Sequence, residues 1–74
     1  MTLDEERLIA WAECVQRLIA VAPTATVVNE TGIAASGHST PPERKAIREK
    51  ARAVVAGWLA RDLAALAYEE ATRG

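Results

Sequence analysis

Beyond Pro42 no further proline interrupts the chain, and the segment that follows is built mostly from strong helix formers. A long helix is the element such a stretch dictates. Thr40, Pro41, Pro42 and Glu43 mark its start, with a hydroxyl at the N-cap, proline at the first helical position and a carboxylate at the capping-box offset. At 1.5 Å per residue, a helix from about residue 41 to 71 is roughly 45 Å long.

Residues placed 100° apart on this helix fall into two seams. Ile47, Ala51, Val54, Val55, Trp58, Leu59, Ala65 and Leu66 share one broad apolar face, the pattern of a helix lying on a core. Nearly opposite, Ala53, Gly57, Ala60, Ala64, Ala67 and Ala71 follow alternating steps of four and three. These small residues form a heptad seam along which a second backbone can approach closely. Alternatively, alanine is there because it is the best helix former and tolerates exposure. Asp62 falls within the apolar face, between Trp58, Leu59 and Leu66. A carboxylate in that position stands in water or beside Arg7 or Arg17 if the first helix stops short of Ala65. The sharper alternative is a buried pair that sets register in an oligomer.

Thr2 with Glu5 marks an earlier helix start, and Asp4, Glu5 and Glu6 suit the positive end of a helix dipole. Leu8, Trp11, Val15, Leu18 and Ala22, joined by Ala12 and Ile19, give that helix an apolar stripe from about residue 3 to 22, until Pro23 ends it. Trp11 and Trp58 are the largest apolar side chains in a chain without Phe, which makes them the expected core anchors. Cys14, at the edge of the stripe, is expected to be a small buried hydrophobe. The connector, residues 23–40, is long for so small a domain. It suits a helical turn over Ala25 to Glu30, capped by Thr24 and stopped by Gly32, or an edge strand over Thr26 to Val28.

The clearest candidate ligand site is the loop Ser36, Gly37, His38, Ser39 and Thr40, followed by Arg44, Lys45 and Arg48. A Gly/Ser loop, amides at a helix start and nearby cations together suit an anion such as phosphate. Neither phosphate-loop consensus is present, and Pro41 and Pro42 remove two amide donors. The same cations, with Lys50 and Arg52, could meet nucleic acid, although Glu43 and Glu49 interrupt them. Val28 and Gly32 recur at a helix-turn-helix spacing, but Pro41 and Pro42 follow where a recognition helix should run.

A single His and a single Cys, with no triad spacing, argue against an enzyme and against a metal site, and no cofactor motif is present. The acidic start and short apolar runs predict a soluble, cytoplasmic chain with no membrane span. Charge is uneven within a net of −1. Residues 41–61 carry six bases and two acids, while 1–40 carry five acids and two bases, and 62–74 three acids and one base.

Seventy-four residues make one domain, 1–74, in the size range where a single core supplies about 3–5 kcal/mol without an added staple or an oligomer. The expected fold is all-α: a helical hairpin of short helix, long connector and long helix, pairing as a dimeric four-helix bundle. The interface is expected at Ala53, Gly57, Ala60, Ala64 and Ala67, with Trp58 and Asp62. The expected function is that of a small non-catalytic interaction protein, an adaptor, inhibitor or regulator of a kind bacteria and their phages encode, acting on itself and on a protein partner. The alternative is a binder of a phosphate-bearing ligand, nucleotide or nucleic acid through residues 36–48. The acid-led first helix and the Gly57-Trp58-Leu59 step with Arg61 resemble, without a specific motif, small phage proteins that sequester cyclic-nucleotide signals.

Overall fold

A computed structural model describes residues 2–34 and 40–73. It contains helices α1 (Leu3–Val21), α2 (Thr24–Thr31) and α3 (Pro41–Arg73), with no strand among the described residues. The fold is all-α; the helical turn that the sequence suits over Ala25 to Glu30 is the core of helix α2, which stops at Gly32, and the edge-strand alternative over Thr26 to Val28 does not form.

Each start has a local cause. The Thr2 hydroxyl accepts the Glu5 amide at 3.2 Å, and the Thr40 hydroxyl accepts the Glu43 amide at 3.4 Å, so both N-caps act as their sequences indicate. At α2 it is Pro23 that occupies the cap position and Thr24 is already helical. Proline's fixed φ sends the chain out of α1 extended and straight into a new helix. Gly32 stops α2 in the left-handed region, at φ 71°, with its amide donating to the Val28 carbonyl at 2.9 Å.

α1 and α3 run antiparallel. Arg48 meets the carbonyls of Ile19 and Ala22, the Gln16 side-chain amide donates to the Arg52 carbonyl at 3.0 Å, and Asp4 and Leu8 lie beside Leu66 and Glu69. α2 folds back against α3 near its start. The core between them is small: Ala12 and Ile19 from α1, Val27 from α2, and Ile47, Ala51 and Val55 from α3. Val15, Ala22, Val28, Ile33, Trp58 and Leu59 pack around it.

The α3 face is the one its periodicity predicts, whereas α1 is turned away from its expected stripe. Ala12 and Ile19 are buried, but Trp11 is 42% and Leu18 56% exposed. Ala12 and Ile19 face α3 and leave Trp11 and Leu18, one position earlier in each case, at the flank of the contact. Trp11 is therefore not a core anchor, Trp58 is only half-buried against the core, and Cys14 is exposed instead of buried.

The outcome is a rod of 52 × 19 × 16 Å. Its radius of gyration is 15.1 Å, against about 11 Å for a compact chain of this length. It exposes 5377 Å², where a globular monomer of its mass exposes about 4,400 Å².

Candidate interaction surface

A groove of about 410 Å³ opens where all three helices meet. Val15, Ile19, Val27 and Val55 form its floor, and Trp11, Leu18, Trp58 and the α2 residues Thr26 and Glu30 stand around it. Its lining is mainly apolar because α2 is too short to cover the space that α1 and α3 leave between them. A second hollow, lined by Asp4, Arg7, Leu8, Asp62, Ala65, Leu66 and Glu69, has no contribution from α2. Leu8 and Val15 are seven residues apart on α1, and Trp58 and Ala65 seven apart on α3. The hollow and the groove therefore lie on one face of the hairpin. α2 covers one end of that face and leaves the other open.

Beside the groove, Trp11, Cys14, Leu18 and Val21 recur on α1 in steps of three, four and three, and all are exposed, Val21 at 80%. That is an a/d-type apolar row on an outer flank. The row is visible in the sequence, but Trp11 and Leu18 also fit the inward stripe, and spacing alone does not separate the two.

Arg48 belongs, with Thr40, Arg44 and Lys45, to the anion site that the sequence predicts, and its place in the fold is specific. Its guanidinium donates to the carbonyls of Ile19 and, at 2.8 Å, Ala22, and reaches the Thr24 hydroxyl at 3.5 Å. α1 has no basic residue in its own last turn. A cation near the start of α3 opposes that helix's dipole, yet antiparallel packing sets it against the negative end of α1. Arg48 thus serves the junction of three helices. Thr40 uses its hydroxyl as a cap. Ser36, Gly37, His38 and Ser39 lie outside the described residues. Among the described residues no group of three or more His, Cys, Asp or Glu is arranged to hold a metal, and none of their helices is long and apolar enough to cross a membrane.

The residues expected at an interface separate onto two sides of α3. Ala53, Gly57, Ala60, Ala64 and Ala67 are all exposed, whereas Trp58 and Asp62 lie across the helix, toward α1. Asp62 is not a buried partner: its side chain is 45% exposed, it lies 3.9 Å from Arg61, and it shares the second hollow with Arg7. α1 does not stop short of it, since Asp4 reaches Glu69. An exposed pair of this kind contributes little to stability. A Cβ added at Gly57 meets nothing within 4 Å. Gly57→Ala should therefore stabilise the chain by about 0.5–1 kcal/mol, the intrinsic helix gain, raising the thermal midpoint at fixed protein concentration. A lower midpoint would mean that another backbone already occupies the seam.

The antiparallel pairing also separates charge. At one end, residues 2–8 and 60–73, Asp4, Glu5, Glu6, Asp62, Glu69 and Glu70 outnumber Arg7, Arg61 and Arg73. At the other, residues 15–34 and 40–53, Arg17, Arg44, Lys45, Arg48, Lys50 and Arg52 outnumber Glu30, Glu43 and Glu49. Six against three in each case leaves a net of −3 at one end and +3 at the other. Comparison with family models, curated proteins and solved structures gave no match to the chain.

Proposed function

We propose that this chain is a small non-catalytic interaction protein of the cytoplasm, an adaptor, inhibitor or regulator, that works as a homo-oligomer through the helical face carrying the two tryptophans. The observation behind this is the open apolar groove between Trp11, Leu18 and Trp58. Aromatic and aliphatic side chains around a concave surface are what protein interfaces bury at their centres. The surplus of roughly 1,000 Å² over a compact monomer is close to the ~800 Å² that each partner of a standard interface contributes. A core of six buried residues among those described also leaves a lone chain little margin.

Sedimentation equilibrium from nanomolar to high micromolar concentration tests this. The mass should rise from 7.9 kDa to twice that value, and tryptophan emission should shift to the blue as Trp11 is covered. A constant 7.9 kDa species with unshifted emission would sink the proposal.

A further inference from the structure

We infer that two copies pack head to tail across this face, each laying its α2 over the half of the α1/α3 face that the other leaves open. The inference rests on the self-association proposed above and specifies its surface and polarity. Three observations carry it. The face is stepped: α2 covers only its basic end, and the hollow around Leu8, Ala65 and Leu66 at the acidic end has no third helix. A twofold axis across the middle of the rod brings step to hollow twice over, the isologous arrangement of a cyclic dimer. The charges are mirrored: head to tail, each −3 end meets a +3 end, whereas a parallel pair sets like against like. Within the ~8 Å over which charge is felt at physiological salt, facing surfaces are close enough for this to choose the polarity. The area is also sufficient, since the rod's surplus of roughly 1,000 Å² over a compact monomer of its mass is close to the ~800 Å² that a stable dimer needs from each partner.

Two variants at exposed positions read the polarity directly. Lys45→Glu with Lys50→Glu makes both ends acidic, and Glu69→Lys with Glu70→Lys makes both ends basic. Head to tail, each variant alone should dimerise roughly tenfold or more weakly than the parent at low salt, and an equimolar mixture of the two should recover a tight heterodimer. In a parallel pair each variant reduces like-charge repulsion and so dimerises more tightly. Ala65→Trp, which fills the open hollow, should weaken the dimer at least tenfold, while Gly57→Ala on another side of α3 leaves its dissociation constant unchanged. Circular dichroism confirms that each variant is still helical. Weakening by each charge pair, rescue on mixing and sensitivity at Ala65 support the arrangement. A dimer that tightens or does not respond to the charge pairs, or that depends on Gly57 instead of Ala65, overturns this arrangement and leaves self-association standing. A parent chain that stays monomeric throughout overturns both.

Discussion

Val55→Ala should lower the unfolding free energy by about 2 kcal/mol or more, the sum of two lost methyl-sized groups and the space they leave. Among the described residues Val55 is the largest side chain with no exposure at all, and it stands where α1, α2 and α3 converge beneath the groove. In most proteins a valine is one of many core residues. Here six of the described residues are buried, which leaves little packing to relax into the gap. Against the roughly 3–5 kcal/mol available to a domain of this size, the loss removes about half. Thermal denaturation followed at 222 nm should show a midpoint lower by about 10 °C or more at matched protein concentration. A shift of only a degree or two would mean that the three helices do not share this core.

Arg48→Met should destabilise the chain by about 2 kcal/mol, toward the middle of the range for hydrogen bonds from a charged donor. Methionine keeps much of the side-chain stem and removes the guanidinium, so the change isolates the polar contacts from the packing. Three acceptors lose their donor at once: the Ile19 and Ala22 carbonyls and the Thr24 hydroxyl. The end of α1 also loses the positive charge that no residue of its own supplies. Arg48→Lys should recover less than half of the loss, because one ammonium cannot span acceptors that a planar fork reaches together. Urea titration of the three proteins measures this directly. Equal stability of parent and Arg48→Met would remove Arg48 from the helix junction.

Much of the architecture was legible in the sequence. Two N-caps, the stop at Gly32 and the inward face of α3 follow from local rules, since a hydroxyl, a residue free to take positive φ and a 3.6-residue period each act within one or two turns. α2 was only half legible. Its eight residues are too few for periodicity to separate a helical segment from an edge strand, and its N-cap is a proline, not Thr24, and offers no side-chain acceptor. The rotation of α1 was hidden for a different reason. Trp11, Leu18 and Val21 make one apolar row and Ala12 with Ile19 another, and the sequence alone does not say which row meets α3. Only the tertiary packing decides it, and there Ala12 and Ile19 are the buried pair. The role of Arg48 lay beyond any local rule, because its partners are 24 to 29 positions away.

The Arg48 junction has a further consequence for how the rod behaves along its length. It fastens the end of α1, the beginning of α2 and the first turns of α3 at one extremity, next to most of the buried side chains. Toward the opposite extremity, α3 beyond Leu66 is exposed on every side. A single copy is thus clamped at one tip and held only by shallow contacts at the other, so its fraying begins where Glu70 and Arg73 project and travels inward toward Val55.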